Sequence, residues 1–112
     1  MTRNLKDLNE YSTGDQIDIT GTCELNGVAE DLSGATIAAG LVLADRSGLA
    51  AGTSQVVGSL ITGTGRVQAT FPSAMTGSIV PGRYLVEVQA TRAGEPVTYQ
   101  VGEILIVKGT VV

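Results

Sequence analysis

Histidine and tryptophan are absent from this chain, and cysteine appears once, at Cys23. Without histidine there is no Ser-His-Asp or Cys-His nucleophile pair and none of the usual zinc ligand sets. A lone cysteine cannot close an internal disulfide, which fits a reducing compartment or indifference to redox state. Aromatic residues are scarce as well: Tyr11, Phe71, Tyr84 and Tyr99 are all there are. Any core must therefore be built from Val, Ile, Leu and Ala, and a sugar-binding platform of stacked rings is a poor fit. Basic residues number seven against eleven acidic ones, for a formal charge of −4. That balance argues against nucleic acid, whose phosphates need a concentrated cationic surface. No apolar run approaches the 18 residues of a membrane span, and Met1 to Asp7 carries no apolar leader, so a non-secreted domain with no membrane partner is expected.

Glycine and β-branched residues are what the chain has in quantity. Its 112 residues suit one domain, large enough to fold without staples. The 15 glycines fall between apolar runs, as tight turns do, and do not gather in one flexible tract.

Residues 1–14 are polar apart from Leu5, Leu8 and Tyr11, spaced three apart, and read as a short amphipathic turn or an arm lying on something else. From Gln16 the alternation is clear, with Ile17, Ile19, Cys23 and Leu25 on one face of a half-buried strand. Cys23 shares the phase of the isoleucines and reads as a small core residue. Asn26-Gly27 is a hairpin turn in which both positions tolerate positive φ. Thr36–Ala44 forms a second strand, apolar on both faces, which predicts burial on both sides. Asp45-Arg46-Ser47-Gly48 turns the chain, and Thr53–Ile61 reads as a further strand at an edge of the sheet. Thr62-Gly63-Thr64-Gly65 turns again; it lacks the Lys-Ser/Thr ending and the following helix of a phosphate loop. Arg66–Phe71 is a strand with Val67, Ala69 and Phe71 inward, and Pro72 ends it.

Ser73–Ile79 predicts a single helical turn capped by Ser73, with Met75 stacked on Ile79. Pro81-Gly82 then drops the chain into a strand from Arg83 to about Ala90, and Arg92–Glu95 turns it back. In the returning Pro96–Val107, Val97, Tyr99 and Val101 hold odd phase while Ile104 and Ile106 hold even phase. A β-bulge at Gly102 reconciles the two. About seven strands at this spacing predict an all-β, antiparallel sandwich with one short helical turn.

The acids offer little chemistry. Asp15 with Asp18, and Glu30 with Asp31, lie close in sequence but match no calcium-loop spacing, and the remaining acids fall on turns and outward strand faces. No catalytic residue, cofactor site or metal site is expected.

Several features recur in one order: Gly14-Asp15, Asn26-Gly27, Asp31-Leu32-Ser33-Gly34-Ala35-Thr36, Gly65 before Val67, and Pro81-Gly82-Arg83-Tyr84 leading into Glu87-Val88. Gly94, Thr98, and Gly102 before Ile104 and Val107 complete the series. From Gly14 to Val107 the chain resembles the small Ig-like domain of tailed-bacteriophage structural proteins, and is similar to the N-terminal domain of the phage baseplate upper protein family. The long helical and receptor-linking parts of a full baseplate protein have no counterpart in these residues.

The resemblance implies a non-enzymatic virion component, assembled in the bacterial host cytoplasm. It would pack in multiple copies of a symmetric array against other virion proteins. A tail, baseplate or neck adaptor is the leading role; head decoration and, behind it, a glycan-binding adhesion module are the alternatives. Three parts are expected: an N-terminal arm at 1–14, an Ig-like domain at 15–108 and a tail at 109–112. Leu5, Leu8, Tyr11, Val111 and Val112 are the expected contacts with neighbours. Pro81, Gly82 and Tyr84 form a structural corner, with the Tyr84 ring in the core and its hydroxyl bonded to upstream backbone.

Overall fold

In a computed structural model, residues 10–62 and 64–108 are described. The nine strands among the described residues are β1 (Glu10–Ser12), β2 (Ile17–Thr22), β3 (Glu24–Leu25), β4 (Val28–Ala29), β5 (Thr36–Leu43), β6 (Val56–Thr62), β7 (Arg66–Phe71), β8 (Gly82–Arg92) and β9 (Glu95–Val107); one helical turn, α1 (Ser73–Thr76), lies between β7 and β8. Seven strands form one sheet in the order β1-β9-β8-β5-β6-β7-β2, and β3-β4 is a separate hairpin. The expected all-β, sandwich-like fold with one helical turn is what the chain adopts, with seven strands in the main sheet and two more in the hairpin. Every pairing is antiparallel except β1 with β9, where Glu10 lies opposite Leu105 in parallel register.

The long sheet folds over on itself. Ile17, Val67, Ala69 and Phe71 from β2 and β7 share one buried cluster with Tyr84, Val86, Val88, Ile104 and Ile106 from β8 and β9. The two ends of the sheet also meet. The Tyr11 hydroxyl in β1 reaches the Asp18 carbonyl of β2 at 3.5 Å. Gly21 of β2 sits so close to Val101 of β9 that a Cβ there would come within 2.9 Å of the valine Cβ.

β7 shows the period-two pattern without a break, since Val67, Ala69 and Phe71 are buried and the residues between are exposed. β5 is buried on both faces for a local reason. Its inner face presents Ile37, Ala39 and Leu41, while the connection after it folds back so that Leu49 covers Gly40 on the outer face. Leu49 bridges Val42, and the Ala50 amide donates to the Leu41 carbonyl at 2.9 Å. Two turns take the left-handed backbone their residues favour, Asn26-Gly27 at φ 53° and 79° and Ala93-Gly94 at φ 53° and 80°.

Five expectations are corrected. β6 is an interior strand, paired with both β5 and β7, and not an edge. Its alternation looked edge-like because its outer face carries Val57 into water at 86% exposure. Leu25 leaves the phase of Ile17, since the chain exits the sheet at Cys23 and carries Leu25 out on the β3–β4 hairpin. Ser73 does not cap α1; Pro72 occupies the cap position without a side-chain bond. The bulge falls one residue earlier than Gly102, because Val86 faces Gly102 and Glu87 faces Gln100, leaving Val101 as the extra residue. Residues 10–12, expected within an arm, belong to the sheet as β1.

Candidate functional site

β8 gives the molecule two ends, one at Gly82 and the other at Arg92. At the first lies the corner. The chain leaves β7 through Pro72, makes α1, and buries Thr76 completely; its hydroxyl donates to the Asp15 carbonyl at 2.5 Å. Ile79 is buried, Val80 is exposed, and the buried Tyr84 returns its hydroxyl to donate to the Val80 carbonyl. The hydroxyl thus bonds upstream backbone, as the Pro81-Gly82-Arg83-Tyr84 pattern predicted. Gly82, the first residue of β8, takes φ 157°. Pro81 fixes the approach, so the exposed Val80-Pro81 pair stands on a rigid base.

Replacing Tyr84 with Phe orphans the Val80 carbonyl and should lower stability by about 1–3 kcal/mol. Urea denaturation with an unchanged slope and a lower midpoint is the expected result. An unchanged midpoint would show that the bond contributes nothing.

The opposite end is built by the 23–35 connection, the β6–β7 turn and the β8–β9 turn. Three hydrogen bonds hold this end together, two between backbone groups and one from a side chain. The Cys23 amide donates to the Gly65 carbonyl at 2.8 Å, and the Glu30 amide to the Cys23 carbonyl at 3.0 Å. Arg92 Nη2 donates to the Asp31 carbonyl at 2.8 Å. Asp31 also accepts the Ser33 amide at 3.0 Å, a bond that holds its carboxyl below the usual carboxylate range. Beneath these contacts is a cavity of about 310 Å³ lined by Leu32, Ala35, Ala90, Arg92, Val97 and Tyr99, with Ala93 and Glu95 at its rim. Leu32 and Tyr99 are buried while Val97 is half exposed, so the walls are mainly apolar and open to water on one side. Burial pushes the Tyr99 phenol up, with the Glu30 carboxylate acting in the same direction.

Cys23 is fully buried, and burial pushes its thiol up to about 11. The folded protein should therefore resist alkylation at pH 8 and react only as fast as it opens. Because the folded thiol ionises later than the unfolded one, its linkage to stability is neutral below about pH 8.5 and destabilising as pH rises from there towards 11. Rapid labelling of the native protein at pH 8 would place the thiol at the surface.

Among the expected contact residues, Leu5, Leu8, Val111 and Val112 lie outside the described residues. Tyr11 is 8% exposed and packs in the chain's own core. The pattern hid this because a three-residue parallel strand is too short to show a period. Sequence reasoning also missed the cavity, whose walls come from residues as distant as Leu32 and Val97. Among the described residues no group of three His, Cys, Asp or Glu side chains is placed to hold a metal ion. No helix among them is long and apolar enough to cross a membrane.

The class defined by these elements is an all-β, sandwich-like domain with a tyrosine corner at one end and an apolar cavity at the other. No protein family, curated protein or solved structure matches the chain.

Proposed function

We propose that this chain is a non-enzymatic structural subunit of a tailed-phage particle, a tail, baseplate or neck adaptor that packs in several copies against its neighbours. The supporting observation is the placement of large apolar side chains in water at both ends of a well-buttressed fold. Val80 is 67% exposed at the corner, and Leu25 and Val28 are 59% and 68% exposed on the β3–β4 hairpin. Exposed apolar groups on rigid turns suit contacts that form on assembly. The phage setting comes from the sequence resemblance from Gly14 to Val107. Head decoration shares the same geometry and differs in copy number. A glycan-binding role is disfavoured because Tyr11, Phe71 and Tyr84 are buried in the core and Tyr99, in the cavity wall, is only 9% exposed.

The test is immunodetection and stoichiometry on gradient-purified phage particles. Tens of copies per particle would identify a tail, baseplate or neck component, and hundreds a head decoration. Absence from intact particles would overturn the proposal.

A further inference from the structure

The β3–β4 hairpin sets side by side two groups that react with each other in water without a catalyst. Asn26 and Gly27 are its two turn residues, both at positive φ (53° and 79°), the arrangement of a type I′ turn. They are the one Asn-Gly pair in the chain, since Asn4 is followed by Leu5 and Asn9 by Glu10. A glycine has no Cβ to shield its amide nitrogen, which can therefore approach the carboxamide before it closely. Both residues are exposed, and no described residue bonds the Asn26 carboxamide or the Gly27 amide. We infer that Asn26 is a site of spontaneous modification, where the hairpin tip passes irreversibly to an isoaspartyl form while the rest of the domain stays folded.

The Gly27 nitrogen, having lost its proton to hydroxide, attacks Asn26 Cγ. A C–N bond forms, the Cγ–Nδ2 bond breaks, and ammonia leaves a cyclic imide behind. Water then opens the imide at one of its two carbonyls. Opening at the side-chain carbonyl restores the peptide bond and leaves aspartate at position 26. Opening at the main-chain carbonyl leaves isoaspartate, with the chain routed through Cβ and Cγ. One water enters, one ammonia departs, and nothing is oxidised or reduced.

The fold gates this reaction and confines it. Ring closure needs rotation about the Asn26 Cα–C bond, which the closed turn fixes, so the tip must open first. Only the Glu24–Ala29 and Leu25–Val28 pairs close it, and every residue from Glu24 to Ala29 is exposed, so opening uncovers no core. The base of the hairpin is held differently. The Glu30 amide bonds the carbonyl of the buried Cys23, whose own amide bonds the Gly65 carbonyl, and both bonds survive when the tip opens. Isoaspartate adds a main-chain methylene to a turn that closes with two residues, so Leu25 and Val28 cannot regain their register. The change dismantles a tip on which those side chains are 59% and 68% exposed, and it adds one negative charge to the −4 of the chain.

The experiment is incubation of the full chain at pH 6 and pH 8, native and unfolded in guanidinium chloride. Peptide mapping by mass spectrometry, resolving aspartyl from isoaspartyl products, follows the conversion. Native protein should convert at Asn26 ahead of Asn4 and Asn9, and faster at pH 8. It should lag the unfolded chain by less than about a thousandfold, the least that a requirement for global unfolding would impose. Gly27→Ala should slow conversion of the unfolded chain, because a methyl then crowds the attacking nitrogen. The isoaspartyl chain, isolated by its added charge, should melt like wild type and lose the Leu25–Val28 cross-strand contacts seen by NMR. Freshly purified Asn26→Asp adds the charge without rerouting the main chain and should keep those contacts. Conversion of the native chain a thousandfold or more slower than that of the unfolded one would overturn the inference, since the tip would then not open by itself. So would an isoaspartyl chain that keeps the Leu25–Val28 contacts or melts well below wild type. An unfolded Gly27→Ala chain that converts as fast as wild type would overturn the imide route.

Discussion

Replacing Gly65 with alanine should destabilise the protein by about 2–5 kcal/mol, from the sum of a backbone penalty and a steric one. Gly65 takes φ 85°, a conformation that costs a residue with a Cβ about 1–2 kcal/mol. The added methyl would also lie 2.7 Å from the Glu30 carbonyl oxygen and 2.9 Å from that of Cys23. Both are backbone atoms, so no rotamer change can relieve the clash. One of the two strands of the connection must move, and the Cys23 amide bond to the Gly65 carbonyl goes with it.

Gly94 is the matched control. It takes φ 80°, but a Cβ there meets nothing within 4 Å, so Gly94→Ala should cost only the backbone part, about 1–2 kcal/mol. The difference between the two variants, read from urea midpoints, isolates the clash. Gly65→Ala should also make Cys23 accessible to alkylation at pH 8, because displacing the 23–30 connection uncovers the thiol. Equal losses at Gly65 and Gly94 would mean that the 23–30 connection yields freely.

That contrast also marks how far the sequence could be read. Glycine followed by a strand at Arg66 identifies a turn, and period-two alternation identifies β7; both are local signals carried by adjacent residues. The same holds for Asn26-Gly27, for the β8–β9 turn, and for Tyr84 after Pro81-Gly82. What stayed hidden depends on contacts between residues far apart in the chain. Nothing near Gly65 indicates that Glu30 presses against it, and nothing near Gly21 indicates Val101. β6 read as an edge because alternation reports which face is wet, not how many neighbours a strand has. Tyr11 read as an arm residue because its strand partner lies 95 residues later, at Ile106. The cavity is a further case, assembled from a loop before β5 and the hairpin of β8 and β9. Turn chemistry thus discloses the frame of the fold, while the cavity and the close backbone approaches follow only from tertiary placement.

Phe71 presents the largest expected loss. It is the only phenylalanine in the chain, is completely buried, and sits opposite Ile17 where β7 ends against Pro72. Phe71→Ala should cost about 3–5 kcal/mol, the range for emptying a buried aromatic site. The upper part of that range is expected because of the neighbours. The core cluster around it is rich in β-branched and small residues, including Ile17, Ile37, Val67 and Ala69, whose short, stiff side chains cannot swing in to fill the space. A core with long flexible methionines would relax more; among the described residues Met75 is the one methionine packed against the cluster, and it is partly buried. A domain of this size has about 5–15 kcal/mol of total stability, so the variant should remain folded at room temperature with a much lower melting temperature. Phe71→Leu keeps most of the volume and should cost less than about 2 kcal/mol. A loss near 1 kcal/mol for Phe71→Ala would mean that the two halves of the sheet close over the vacancy, and that the stiffness of the β-branched core does not set the cost of a cavity in this fold.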